Sequence, residues 1–191
     1  TNYAIKCILF SGTSLFIGTG NSGIFVSTNN GNNWNALNNG LTTPDINSIA
    51  VLGTNLFAAT NYTYYGGAGG IFVSTNNGLN WKSTAILNQA ITSIAVLGEN
   101  IFTSAYDSGV FFSTNNGSSW PWVGLYNTRI NSLLAAGTTL FAGMGPNQFG
   151  DGGGVYSSTN NGVNWNYASN GISGPHIMSI DISGSNIFAC T

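Results

Sequence analysis

An eight-residue phrase, Ser-Thr-Asn-Asn-Gly-x-x-Trp, occurs four times in this chain, at residues 27–34, 74–81, 113–120 and 158–165. Each copy follows a short apolar run: Ile24-Phe25-Val26, Ile71-Phe72-Val73, Val110-Phe111-Phe112 and Val155-Tyr156. The motif serines fall 47, 39 and 45 residues apart. Self-similarity at a period of 20–50 residues constrains a fold more than any single element, because one such unit cannot bury its apolar faces alone.

Two further landmarks share the period. An aliphatic–Phe pair recurs five times, at Leu15-Phe16, Leu56-Phe57, Ile101-Phe102, Leu140-Phe141 and Ile187-Phe188. Ahead of each pair stands an Ile-x-x-Ile/Leu run beginning at Ile5, Ile46, Ile91, Ile130 and Ile177. Each repeat therefore reads as four short strands. Strand A is the Ile-x-x-Ile/Leu run, strand B carries the aliphatic–Phe pair, strand C enters the motif, and strand D starts around the motif Trp. Gly12, Gly53, Gly98, Gly137 and Gly184 mark the A–B turns. Asn-Gly between strands C and D suits a tight hairpin, since both residues tolerate positive φ. No segment shows a capped helical period.

Four strands per unit at a period near 43 predict an all-β chain. Its expected form is a β-propeller of four-stranded blades, with four full repeats plus two strands of a fifth. One domain is expected over residues 1–191, with repeats at 5–45, 46–90, 91–129 and 130–176 and a half-repeat at 177–191. The half-repeat would leave an open strand edge, which folded proteins avoid. The expectation is a piece of a longer array, or a half-blade completed by another molecule through self-association.

Composition narrows function by exclusion. Only 4% of residues are charged against 42% hydrophobic, and the net charge is −2. Lys6, Lys82 and Arg129 are the only cations, too few to neutralise phosphates, so nucleic acid is not an expected partner. No apolar run approaches the ~18–20 residues of a membrane-spanning helix, so no membrane insertion is expected. Abundant Asn, Ser, Thr and aromatic residues at low charge resemble extracellular or cell-surface adhesive proteins.

The repeated phrase resembles the Asp-box (BNR) motif, Ser/Thr-x-Asp-x-Gly-x-x-Trp/Phe, found in propeller blades of sialidases, sortilin-type receptors and photosystem assembly factors. Its wording is most similar to secreted bacterial repeat arrays. Ser27, Gly31 and Trp34 match, as do Ser74, Gly78 and Trp81, Ser113, Gly117 and Trp120, and Ser158, Gly162 and Trp165. Asn29, Asn76, Asn115 and Asn160 replace the Asp in every copy. An amide oxygen accepts the same backbone N–H bonds, but it is a poor anchor for calcium, so no metal or other cofactor is expected. The resemblance implies a structural turn, on the face opposite the usual ligand face. Sialidase chemistry needs an arginine triad and a Tyr/Glu pair, whereas Arg129 and Glu99 are the chain's only arginine and glutamate. His176 is the only histidine, so no Ser-His-Asp set is available. A non-enzymatic role is expected.

The irregular segments are the B–C and D–A loops, which share one end of each blade. Their aromatic and polar residues Tyr64, Tyr65, Tyr106, Asp107, Arg129, Phe149, Asp151 and His176 are the candidate contacts for a carbohydrate or protein ligand. The bland alternative is loop drift, with aromatics covering blade edges. Cys7 and Cys190 occupy small-residue strand positions near the two ends of the array. They form either a disulfide, within or between chains, or two buried thiols. The expected function is an extracellular binding or adhesion module, with a structural subunit of a filament or surface assembly as the alternative.

Overall fold

The structure, a computed structural model, describes residues 3–62, 69–146, 153–172 and 176–191. These hold eighteen strands and no helix. The first sheet contains β1 (Ile5–Ser11), β2 (Ser14–Thr19), β3 (Ile24–Ser27) and β4 (Asn35–Ala36). The second contains β5 (Ile46–Leu52), β6 (Asn55–Thr60), β7 (Gly70–Ser74) and β8 (Lys82–Leu87). The third contains β9 (Ile91–Leu97), β10 (Asn100–Ala105), β11 (Gly109–Ser113) and β12 (Trp122–Gly124). The fourth contains β13 (Ile130–Ala136), β14 (Thr139–Met144), β15 (Gly154–Ser158) and β16 (Asn166–Tyr167). A last pair, β17 (Ser179–Ser183) and β18 (Asn186–Cys190), forms a two-stranded sheet. Every strand pairs with its neighbour in sequence, so each sheet is an antiparallel meander. This is the four-stranded blade, four times over, with strands A and B of a fifth.

The turns follow from residue chemistry. In the motif hairpins Asn30, Asn77, Asn116 and Asn161 adopt φ of 54–57°, each followed by a glycine at 81–87°. Two successive left-handed residues are what an Asn-Gly pair supplies most readily.

The chain divides into two compact units: Thr1–Ile91 with Gly117–Ser119, and Thr92–Asn116 with Trp120–Thr191. In the first unit, Phe16 and Ile24 of the first sheet pack with Ile46, Ile49, Leu56, Ala58, Phe72 and Trp81 of the second. In the second unit, Ala95, Phe102 and Val110 pack with Ile130, Leu133, Leu140, Ala142 and Met144, and Val155 packs with Ile177 and Ile180. Burying each such aliphatic side chain contributes about 1.5–3 kcal/mol.

Strand A makes the seam between neighbouring sheets. Ile46 and Ile177 sit on the backbone of Gly18 and Gly143, where an added Cβ would stand 2.6 and 2.7 Å from the isoleucine Cγ2. A polar side chain one residue along strand A closes the seam. Asn47 Nδ2 donates to the Ile91 carbonyl at 2.7 Å, Thr92 Oγ1 to Ile130 at 2.7 Å, and Asn131 Nδ2 to Ile177 at 2.8 Å. One residue further on, Ser93 Oγ accepts the Leu133 N–H at 3.0 Å, and Ser132 Oγ accepts that of Ile180 at 3.2 Å.

The motif tryptophans brace the outer strands. Trp81 is 3% exposed and donates Nε1–H to the Leu37 carbonyl of the first sheet at 2.9 Å. Trp165 lies against Gly124 and packs into the cluster shared with Val123 of the third sheet. Trp34, in the first sheet, is 37% exposed. Trp81→Ala should therefore cost about 3–5 kcal/mol of unfolding free energy, and Trp34→Ala under about 1 kcal/mol. Chemical denaturation of the two variants checks the ordering. Equal losses would show that the motif Trp does not staple one sheet to the next.

Candidate functional site

The most regular feature in the sequence uses its polar atoms on itself. Ser27 Oγ accepts the Gly31 N–H at 2.8 Å and donates to Asn29 Oδ1 at 2.9 Å, and Asn29 Oδ1 accepts the Asn33 N–H at 2.9 Å. The same three bonds recur around Ser74 and Asn76, and around Ser158 and Asn160. In the third copy Ser113 Oγ donates to Asn115 Oδ1 at 2.9 Å. The amide oxygen carries out the acceptor work of a carboxylate in a closed turn. Among the described residues no three His, Cys, Asp or Glu side chains come together as a metal would require.

The B–C and D–A ends of the sheets are different. Tyr64, Tyr65, Phe149 and Asp151 lie outside the described residues. Of the other predicted contacts, the structure brings Tyr106 and Arg129 together, with the guanidinium carbon 5.2 Å from the ring centroid. Asp107 is exposed at the tip of the B–C turn, in a left-handed conformation (φ 54°). His176 stands at the next D–A connection, beside Gly145. A Cβ on Gly145 would lie 3.1 Å from His176 Nε2 and 3.2 Å from Asn131 Nδ2, so glycine keeps that space open. The Gly145 N–H donates to the Arg129 carbonyl at 2.9 Å, tying the third D–A connection to the fourth B–C loop.

Among the described residues, two side-chain atoms are buried without a hydrogen-bond partner: Arg129 Nε and His176 Nε2. A buried, unpaired polar group costs about 1–3 kcal/mol, and native folds leave few of them. Both belong to the second compact unit, and both come from residues that occur once in the chain.

Three aromatics on the same sheet were not among the predicted contacts. Phe111 on β11 is paired in register with Trp122 on β12, and Tyr126 follows in the D–A connection. Trp122 and Tyr126 are 50% and 66% exposed, with ring centroids 5.8 Å apart and planes at 87°. With Phe111 and Ser108 they line a recess of about 560 Å³. One signal was available beforehand: Trp122 is the only one of the five tryptophans that is not a motif Trp.

In the first unit, a recess of about 580 Å³ opens at the opposite, turn-bearing end of the sheets, between Phe16, Val26, Leu37, Val51 and Leu79. It holds no ionisable side chain. At the other end of these sheets Lys6 pairs with Asp45, whose other oxygen accepts from Asn61 at 3.2 Å.

The class of molecule these features define is an all-β, blade-built scaffold whose variable chemistry sits on one end of its sheets. No family model and no curated protein matches the sequence. Solved structures do resemble it. An ancestral GH74 enzyme aligns with a TM-score of 0.70 at 24% identity, covering 91% of this chain and 24% of its own. The GH74 xyloglucanase from Xanthomonas campestris aligns at 0.70 and 15%, covering 92% and 32%. YCF48 from Cyanidioschyzon merolae aligns at 0.66 and 17%, covering 97% and 66%. The chain thus spans from about a quarter to about two thirds of these proteins' lengths. At these identities the likeness shows the fold: it is a β-propeller.

The two cysteines, expected either as a disulfide or as two buried thiols, are not bonded to each other within the chain; Cys7 is half-buried and Cys190 exposed. Cys7 takes the place of the strand-A serine found at Ser48, Ser93 and Ser132. Burial pushes its thiol up to about 11, against hydrogen bonds from the Gly18 and Ile49 backbone that pull the other way. A raised folded-state pKa adds stability that is present below the unfolded thiol's ~8.5 and lost as pH rises through the folded value. Two outcomes are expected. A thiol reagent at neutral pH modifies Cys190 quickly and Cys7 only on unfolding. Between about pH 8.5 and 11 the wild type loses more stability than Cys7→Ser, measured as the difference between their denaturation midpoints.

Proposed function

We propose that this propeller is an extracellular, non-enzymatic binding module that takes a carbohydrate or protein ligand on the B–C and D–A end of its blades. The observation that carries this reading is the meeting of unsatisfied polarity and exposed aromatics at that end of the second unit. Arg129 Nε and His176 Nε2 are buried and unpaired, and the Arg129 guanidinium rests on exposed Tyr106. Exposed Tyr106 offers a ligand a rigid amphipathic surface. The four Ser-x-Asn-x-Gly-x-x-Trp turns are, in this reading, Asp-box turns whose carboxylate has become an amide and whose role is structural. The scarcity of carboxylates supports a binding role over hydrolysis: one glutamate and four aspartates, with Asp45 engaged by Lys6 and Asn61. What the GH74 neighbours do as enzymes is not carried over, since the likeness is one of fold.

A glycan array and a surface-protein binding screen test the proposal. The expected result is a ligand whose affinity falls at least ~10-fold in Tyr106→Ala, Arg129→Ala or His176→Ala, in proteins that melt as the wild type does. Arg129→Lys should also weaken binding, because the ammonium cannot reproduce a planar stack. Binding that ignores all three positions would refute the face assigned here.

One observation favours a second reading, a structural subunit of a filament or surface assembly. Ile5, Ile8 and Phe10 on β1 are 55%, 62% and 74% exposed, whereas the repeat equivalents of the first two, Ile46 and Ile49, are 0% and 8% exposed against the preceding sheet. A sheet of another chain packed on that face would cover them. Electron microscopy of concentrated protein should then show ordered polymers that Phe10→Glu abolishes. Discrete particles at every concentration would eliminate this reading.

A further inference from the structure

The recess between Phe111, Trp122 and Tyr126 is lined by a strand-D side chain, Trp122, that differs from its counterparts in the other repeats. The strand-C aromatic recurs at Phe25, Phe72 and Tyr156, and the residues opposite are Ala36, Ser83 and Tyr167. Phe72, facing only Ser83, is 1% exposed. Phe72 is thus buried without a large strand-D partner, whereas Tyr156 carries one in the 56% exposed Tyr167, 5.4 Å away at 77°. Opposite Phe111 stands Trp122, half in solvent, at an angle of 87° to Tyr126. The backbone that presents Tyr126 is strained on both sides: Leu125 and Asn127 have φ of 53° and 55°, and for a bulky leucine that is an outlier. Backbone strain of this kind persists where the surroundings over-determine it, and it gathers at ligand-holding segments. The Thr128 hydroxyl, which donates to the Leu125 carbonyl, pins the turn.

We infer that this corner is a subsite for one uncharged pyranose ring of a glycan. The inference rests on the binding reading above and names the ligand class at that end of the sheet. A pyranose has an apolar C–H face, which stacks on an aromatic ring, and a belt of hydroxyls that both donate and accept. Trp122 supplies the stacking face and Tyr126 the perpendicular wall. At about 560 Å³ the recess falls within the range of small-molecule sites. Ser108 lines its edge, and exposed Asp107 precedes it in the chain.

Other aromatic-seeking ligands fit less well. A stacked nucleobase brings phosphates, and of the chain's three cations Lys6 is paired with Asp45. Proline rings dock on aromatic grooves but carry no hydrogen-bond donors. An acyl chain would leave the Tyr126 hydroxyl unanswered.

The test is calorimetric titration of the whole chain with three neutral hexasaccharides, β-1,4-glucan, β-1,4-mannan and α-1,4-glucan, and with decaproline. At least one hexasaccharide is expected to bind. Its affinity should fall at least ~10-fold in Trp122→Ala and in Tyr126→Ala, less than ~3-fold in Trp122→Phe, and not at all in Trp34→Ala. Far-UV circular dichroism and melting verify that the variants fold, which the exposure of both side chains favours. No binding of any hexasaccharide at millimolar concentration overturns the inference. So does sugar binding that survives both alanine variants, or binding of decaproline in place of sugar. If a ligand is lost with Arg129→Ala but not with Trp122→Ala, the subsite falls and the loop-end reading stands. If neither set of variants affects any ligand, both fall.

Discussion

The seating of one isoleucine per repeat on the sheet before it is the contact on which the rest of this structure depends. Ile46, Ile91, Ile130 and Ile177 are each 0% exposed. The site beneath Ile46 and Ile177 exists because the fifth residue of the preceding strand B is glycine, Gly18 or Gly143. Small side chains, Ala59 and Ser104, hold the corresponding places in the other repeats. The seat sets depth, and the polar residue that follows sets register. Asn47, Thr92 and Asn131 all reach the carbonyl of the next isoleucine, so a strand slipped by one residue would lose both the bond and the buried face. A two-sided apolar sheet has few intrinsic reasons to stop sliding. These bonds provide one without any charge.

Much of this was legible from spacing. The four Asn-Gly pairs, the aliphatic–Phe pairs and the strand-A isoleucines give the strand order, because turn chemistry and two-residue alternation act locally. Strand D was the least visible element. It runs six residues in β8, three in β12 and two in β4 and β16, since its extent depends on what the D–A connection does and not on its own side chains. The Tyr106–Arg129 contact joins a B–C turn to a D–A connection, two segments that the four-strand repeat places at one end of the blade. Trp122 could not be paired with Phe111 in advance, because a register shift between Val110 and Phe111 decides which strand-D residue faces the aromatic. The unpaired nitrogens of Arg129 and His176 are likewise properties of packing.

The two ends of each sheet divide the chemistry. At the A–B and C–D end, repeated Gly and Asn-Gly turns are closed by their own hydrogen bonds. At the B–C and D–A end, the repeats diverge, and the described residues of the second unit include two buried nitrogens without partners and an aromatic corner open to solvent. A scaffold satisfied at one end can vary at the other with little effect on its folding. That separation is the physical basis for assigning a ligand to the loops and not to the motif.

The closed motif turn also bears on the chemical lifetime of the chain. Asn-Gly is the dipeptide most prone to spontaneous loss of its amide, because glycine leaves the next backbone nitrogen free to attack the asparagine side-chain carbon and close a succinimide ring. This chain contains four such pairs in its motif turns alone. In three of them the attacking nitrogen is the one that donates to the serine hydroxyl oxygen, at 2.8 Å in Gly31 and Gly78 and 2.9 Å in Gly162. A nitrogen held in that bond, on a backbone fixed in the left-handed region, is turned away from ring closure. In these three hairpins the serine thereby slows the ageing of the asparagine beside the glycine.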